Sequence, residues 1–169
     1  PAKGIAYCGA SRYIESCGLM EECLKMVQAK NCDEFQQALG MFDLMEQNIS
    51  FADTEGHIAY LRNGSVPIRP EGVQWNVPIP GGTDATRWLG FHELKDLVQI
   101  KDPAQGYFQN CNCSPAVMMR DSPMTPDKYK DYIYNVSWDK ETPRSTRLRG
   151  LLDADTSITK EEAMAYTLD

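Results

Sequence analysis

The chain has 169 residues, of which 42% are hydrophobic and 24% charged, a balance typical of a globular domain. No apolar run approaches the ~20 residues that a membrane-spanning helix needs, so no membrane span is predicted. Seventeen Lys and Arg residues against 24 Asp and Glu residues give a formal net charge of -7, which disfavours nucleic acid as a partner.

The amino-terminal part of the chain, residues 1–45, is predicted to be helical. Apolar residues recur at helical spacing over residues 13–30, which predicts an amphipathic helix whose methionine and cysteine stripe packs in the core. Asp33 is followed three residues later by Gln36, an arrangement that caps a helix. A second helix is therefore predicted over residues 33–43.

The middle of the chain, residues 46–113, is predicted to be rich in strands. Two apolar runs flank the turn-forming stretch 53–56, and this pattern predicts a β-hairpin. The prolines and glycines of residues 67–82 predict an irregular connection. Its apolar side chains, among them Val77, are expected to be buried, and a further strand is predicted over residues 106–110.

The carboxyl-terminal part, residues 114–169, is predicted to be irregular at first and then helical. A helix is predicted over residues 144–152. Thr159 with Glu162 three residues later forms a capping box, which predicts a last helix that runs to residue 168. The whole chain, 1–169, is expected to be a single unit.

Several common catalytic and metal-binding patterns are missing from the sequence. It contains six cysteines but no C-x-x-C pair, and Cys111 and Cys113 lie two apart, which is not a zinc-knuckle spacing. The only histidines, His57 and His92, are expected to be structural or solvent-facing, and no G-x-S-x-G is present. An amino-terminal proline can act as a base, but a processed chain end explains Pro1 more simply. A self-contained serine or cysteine enzyme, a metal site and a cofactor are therefore all disfavoured.

The pattern Asn-x-Asn-x-Ser-Pro at residues 110–115 is the main candidate for chemistry. An asparagine side chain carries a neutral NH2 donor, which suits a developing oxyanion. Asparagine before Ser-Pro is also a common turn former, so the residues by themselves leave both interpretations open.

Three blocks of the sequence are each similar to part of one known sequence pattern. Residues 51–60 with 67–69 are similar to the pattern "A-D-x-x-G-N-I-x-Y" followed by "P-x-R". Residues 77–90 are similar to "P-V-P-G … W-x-G" and lead into the segment that ends in Asn-x-Asn-x-Ser-Pro. Residues 144–169 are similar to "R-x-x-R-I … L-L … L-T … L-D". In this order the blocks resemble the penicillin amidase family of N-terminal-nucleophile acylases. Within that family, the sequence most resembles the homoserine-lactone acylase branch, which is tied to quorum sensing.

The resemblance implies an α+β fold that forms part of an N-terminal-nucleophile hydrolase αββα sandwich. It also implies hydrolysis of a linear amide C–N bond, in which the amino-terminal serine of a processed β-chain attacks the acyl carbonyl. By matching the motifs, Asn112 would be the side-chain donor to the oxyanion and Arg144 would orient the catalytic machinery. Asn110 would be a structural neighbour, and Arg147 a helix-surface ion pair.

The sequence departs from the family pattern at several positions. His57 and Asp102 each stand where the family usually has Asn. Pro123 falls where the family's calcium-binding aspartate is expected, with Asp121 two residues away, so calcium is possible in the parent enzyme but not supported by these residues. No position matches the amino-terminal serine, and Pro1 has no nucleophilic side chain.

The chain is therefore expected to be an internal slice of an acylase β-chain that is inactive alone. Its expected partners are the remainder of the α- and β-chains and a small N-acyl amide substrate, and the family suggests a periplasmic or secreted location. The alternative is a non-catalytic binding or interaction module derived from the same fold.

Overall fold

The computed structural model describes Gly4, residues 6–135 and residues 141–169, and Pro1 lies outside this part of the chain. The described chain falls into two compact units, one of residues up to Gln47 with Asn63–Asp96, the other of Asn48–Arg62 with Leu97–Asp169. Its helices are α1 (Leu19–Gln28), α2 (Cys32–Leu39), α3 (Asp131–Tyr134), α4 (Pro143–Ala154) and α5 (Lys160–Tyr166). Its strands are β1 (Gln47–Ala52), β2 (Ile58–Asn63) and β3 (Gln99–Lys101). This mixture confirms the α+β class.

Helix α1 is shorter and more exposed than the apolar pattern predicts. It begins at Leu19, after a separate short 3-10 turn at Arg12–Ile14, and it packs against α2. Met20 and Val27 are 78% and 84% exposed, so the prediction that the stripe packs in the core is wrong for these residues. The amphipathic pattern identifies a helix, but it does not identify what covers the apolar face.

Helix α2 begins one residue earlier and ends four residues earlier than the predicted range of 33–43. The side chain of Asn31, not Asp33, caps the helix by accepting the N–H of Glu34 at 2.9 Å. Glu34 in turn accepts the N–H of Lys30 at 2.9 Å, so the cap and its partner are Asn31 and Glu34. Cys32 and Leu39 of this helix are buried.

The predicted hairpin is confirmed, and it forms part of a three-stranded sheet with the order β1-β2-β3. Strand β2 pairs antiparallel with β3, with Tyr60 opposite Ile100, and Tyr60 is buried. In the connection between β1 and β2, Asp53 Oδ1 accepts the N–H groups of Glu55 and His57 at 3.0 and 2.9 Å. Gly56 has a φ of 93°, a conformation that favours glycine and closes this turn.

The connection after β2 is irregular, as predicted, but it is less buried than expected. Val77 is exposed, whereas Trp75 and Trp88 are half-buried. Trp75 is held by a hydrogen bond from its Nε1 to the carbonyl of Pro70 at 3.1 Å.

Residues 106–110 do not form the predicted strand. They follow a tight turn in which the N–H of Gly106 donates to the carbonyl of Pro103 at 2.8 Å. Gln109 then bonds through its backbone N–H to Met118 at 3.0 Å and through its side chain to Val117 at 3.3 Å. These local bonds take the place of a strand ladder.

The carboxyl-terminal helices follow their capping residues. Thr142 and Ser145 form a capping box at the start of α4, and the predicted box of Thr159 and Glu162 starts α5. Helix α5 ends at Tyr166, two residues earlier than predicted. Among the described helices, none combines the length and the apolar character that crossing a membrane requires.

Candidate functional site

The segment of residues 107–114, here called the asparagine loop, is irregular but tightly bonded. Asn110 Oδ1 accepts the backbone N–H of Asn112 at 2.9 Å, and Gln109 Oε1 accepts that of Cys111 at 3.0 Å. Asn112 itself has a φ of 59°, the left-handed conformation that asparagine tolerates better than most residues. Asn110 therefore shapes the turn that presents Asn112.

The start of α4 brings Arg144 to this loop. Its Nη2 donates to Asn112 Oδ1 at 2.8 Å and to the carbonyl of Cys111 at 3.3 Å. The hydroxyl of Thr142, the residue that caps α4, donates to the same Cys111 carbonyl at 3.1 Å. The two residues singled out in the sequence are thus in direct contact, although they lie 32 positions apart.

The contact with Arg144 sets the direction of the Asn112 amide. A guanidinium only donates hydrogen bonds, so the oxygen of the amide must face it. The Nδ2 amino group lies in the same amide plane, on the other branch of Cγ, and is therefore directed away from Arg144 on a side chain that is exposed. The geometry leaves a neutral NH2 donor at the surface, held in direction by a charged partner.

A buried hydroxyl network joins the end of the asparagine loop to α3. The hydroxyls of Ser114 and Tyr134 are 2.7 Å apart, and both side chains are buried. The Tyr134 hydroxyl also donates to the carbonyl of Met124 at 3.2 Å and accepts the N–H of Ala116 at 3.1 Å. The sequence shows that this region has aromatic residues able to pack, but nothing in it pairs Tyr134 with Ser114.

A second hydrogen-bonded contact joins the asparagine loop to α4. The Tyr107 hydroxyl donates to Asp153 Oδ1 at 2.6 Å. Burial, together with this bond to a carboxylate, raises the pKa of Tyr107 to about 12, so the hydroxyl stays a donor across the neutral range. Helix α4 therefore contacts the loop near both of its ends, through Asp153 and Arg144.

His57 and Asp102 form a pair that the sequence does not predict. His57 Nδ1 donates to Asp102 Oδ2 at 2.7 Å, and the N–H of Ile58 donates to Asp102 Oδ1 at 2.9 Å. The hydrogen bond and the charge of Asp102 raise the pKa of His57, and the Ile58 N–H followed by His57 lowers the pKa of Asp102. Their shared departure from the family pattern was the only available signal that these two positions belong together.

Side chains that resemble metal ligands occur in the hairpin turn. Asp53, Glu55 and His57 have potential ligand atoms within 4.8 Å of one another. Asp53 Oδ1 already accepts two backbone N–H groups and His57 Nδ1 is bonded to Asp102, so we assign no metal to them. Pro123, at the expected calcium position, offers no side-chain oxygen, and Asp121 is exposed.

A surface cavity of about 990 Å³ lies in the unit that contains α1. Its walls include Arg69, whose guanidinium lies 5.5 Å from the centre of the Trp75 ring, and Trp88. Neither Asn112 nor Arg144 lines it.

The chain is similar to known proteins in both sequence and fold. The profile of the family described as Penicillin amidase matches residues 6–169. Penicillin G acylase of Escherichia coli is 32% identical over 89 residues, which make up 53% of this chain and 10% of that protein. A thermostable penicillin G acylase from Alcaligenes faecalis has a similar structure, with a TM-score of 0.65 and 23% identity over 88% of this chain and 24% of that chain. This chain thus spans only a small part of the length of either relative.

Proposed function

This chain belongs to the penicillin amidase family, and on that premise we propose that it forms part of an N-acyl amide hydrolase. In this proposal Asn112 donates a hydrogen bond to the oxyanion of the tetrahedral intermediate. Arg144 is a positioning residue that fixes the direction of the Asn112 amide.

The contact between Arg144 Nη2 and Asn112 Oδ1, at 2.8 Å, is the observation that carries the proposal. When a hydroxyl attacks an acyl carbon, the carbonyl oxygen gains negative charge, and a donor already aimed at it needs no reorganisation. With its oxygen bonded to Arg144, the Asn112 amide would direct its NH2 away from the guanidinium, and the Asx turn with Asn110 holds its backbone. The motif match and this geometry support the same assignment.

The attacking hydroxyl would come from outside these 169 residues, because no position here matches the family's amino-terminal serine. The serine oxygen would form a bond to the acyl carbon, the amide C–N bond would break, and the serine proton would pass to the leaving amine. Water would then attack the acyl carbon, break its bond to the serine oxygen and release a carboxylic acid, with a proton returned to the serine. The partners in this proposal are the remaining segments of the acylase α- and β-chains and a small N-acyl amide. A periplasmic or secreted location belongs to the same proposal.

The first test compares the isolated chain with the intact acylase, meaning a protein in which these residues are accompanied by the family's other segments. We expect the intact acylase to hydrolyse a chromogenic N-acyl anilide and the purified 169-residue chain to show no turnover, because the covalent step lacks its nucleophile. Turnover by the isolated chain that survives repurification would show that the nucleophile lies within it. An intact protein that binds the anilide without cleaving it would favour the non-catalytic binding module instead.

A further inference from the structure

The pair of His57 and Asp102 holds the start of the segment that leads to Asn112. Asp102 takes part in three hydrogen bonds with the hairpin. Its two carboxylate oxygens accept from His57 Nδ1 and the Ile58 N–H, and its own N–H donates to the Ile58 carbonyl at 2.8 Å. Asp102 has a φ of 48°, a left-handed conformation that costs free energy in a non-glycine residue and persists where surrounding bonds hold it.

From Asp102 the chain runs a short way to the asparagine loop. It makes the turn closed by Gly106 and Pro103, and Phe108 then contacts Tyr60 of β2, with ring centres 6.0 Å apart. Ile58, which binds Asp102, lies two residues before Tyr60 on the same strand. The segment before Asn112 is thus attached to β2 at two points, and the first of these involves a titratable pair.

The charges around this pair favour a protonated histidine. The carboxylates of Asp102 and, more weakly, Asp53 raise the pKa of His57, and Lys101 on β3 opposes them. The carboxylate of Glu55, in the same turn, also lies within 4.8 Å of a His57 ring nitrogen. Because the folded pKa of His57 lies above its ordinary value, the ionic attraction is fully present from just above the lowered pKa of Asp102 up to about pH 6.5, and it is lost as the pH rises through the folded pKa of His57. The neutral ring keeps a hydrogen bond but loses the charge.

We propose that His57 and Asp102 are positioning residues, and that the charge on His57 controls how firmly the segment carrying Asn112 is held against the hairpin. This inference rests on the role proposed above for Asn112. It extends that role by making alignment of the oxyanion donor dependent on pH. Both side chains are about four-tenths exposed, so we expect a modest effect.

A spectroscopic titration of the full 169-residue chain tests the link without using activity. In ¹⁵N-labelled protein titrated from about pH 5 to about pH 9, the side-chain amide signals of Asn112 should shift with the same midpoint as the His57 ring. The double variant His57→Asn/Asp102→Asn replaces the pair by two neutral amides that can still hydrogen-bond, and it should abolish the shift at Asn112. Asp96→Asn is the matched control, because it alters a His–Asp contact elsewhere in the described chain, His92 Nδ1 to Asp96 Oδ2 at 3.4 Å.

Activity of the intact acylase provides the second readout. We expect kcat to fall about twofold to fivefold as the pH rises through the His57 midpoint, with little change in KM. The double variant should lose this step, and Asp96→Asn should keep it.

These experiments distinguish a failure of this inference from a failure of the proposed function. If the Asn112 signals do not follow His57, or if the double variant keeps the step in kcat, the inference is overturned while the role of Asn112 stands. If Asn112→Ala has normal kcat in the intact acylase, the proposed function falls, and this inference falls with it.

Discussion

Helix α1 and the asparagine loop differ in what holds them in place. Helix α1 is regular, yet apolar side chains such as Met20 and Val27 lie mostly in solvent. The loop has no regular structure, yet Asn110, Thr142 and Arg144 all bond to its backbone or side chains. Substitutions should therefore have large effects where specific hydrogen bonds fix an irregular segment, and small effects on a helix face that nothing covers in the described chain.

Apart from the loss of the proposed oxyanion donor Asn112 itself, the largest expected effect concerns Arg144. In the intact acylase, Arg144→Lys should lower kcat by about tenfold to a hundredfold, because one planar guanidinium nitrogen bonds both Asn112 Oδ1 and the Cys111 carbonyl. A lysine ammonium rotates freely and does not fix the two acceptors in the same plane. The measurement is steady-state hydrolysis, with circular dichroism to show that folding is intact.

Arg147 is the matched control for that experiment. It lies on the same helix and pairs with Asp169 at 2.7 Å, and its side chain is exposed. Arg147→Lys should leave kcat unchanged. A wild-type kcat for Arg144→Lys would show that Arg144 serves only the structure.

The buried hydroxyl network of Ser114 and Tyr134 should contribute to the free energy of unfolding. Tyr134→Phe removes one hydroxyl and leaves Ser114 Oγ and the Met124 carbonyl without that partner inside the protein. The free energy of unfolding should fall by about 2 kcal/mol, which lowers Tm by about 4–8 °C in a chain of this size. Tyr7→Phe, at an exposed tyrosine, should leave Tm unchanged. Equal Tm values for the two variants would contradict the role of the network.

The smallest effects should come from the exposed face of helix α1, and the buried Glu22 on the same helix provides the contrast. Val27 is exposed, and Val27→Ala should change the free energy of unfolding by less than about 0.5 kcal/mol. Glu22 on the same helix is buried, and its Oε2 accepts the N–H groups of Asp43 and Leu44 at 2.6 and 2.8 Å. Glu22→Ala should therefore cost about 1–2 kcal/mol. Urea unfolding measures both, and a larger loss for Val27→Ala would mean that the exposed face is covered in solution.

The parts of the fold that the sequence predicts are those set by local chemistry. The capping box of Thr159 and Glu162 was predicted because both partners lie within one turn, and the hairpin was predicted from the turn residues between its two apolar runs. The cap of α2 was misplaced because Asn31 and Asp33 are both good caps, and only the bond from Glu34 shows which one acts.

The parts of the fold and of the site that the sequence does not predict depend on contacts between residues far apart in the chain. Residues 106–110 do not form the predicted strand, and the backbone N–H of Gln109 donates to the carbonyl of Met118 instead of to a neighbouring strand. The bond between Ser114 and Tyr134 joins positions 20 apart, and that between His57 and Asp102 joins positions 45 apart. Asn112 and Arg144 were found through motif resemblance, whereas their contact follows from the start of α4 at Pro143. Spacing along the chain carries no signal for such pairs.

The most direct test of the site compares Asn112→Ala with Asn110→Ala in the intact acylase, measuring kcat, KM and Tm for each. If Asn112 donates to the oxyanion, its variant should lose about a hundredfold to a thousandfold in kcat, with little change in KM. Its Tm should fall by a few degrees at most, because alanine tolerates the left-handed φ of 59° less well than asparagine. The side chain of Asn110 accepts the Asn112 N–H at 2.9 Å, so the Asn110 variant should lose stability and a smaller part of kcat. A normal kcat for Asn112→Ala would contradict the proposed role of this residue.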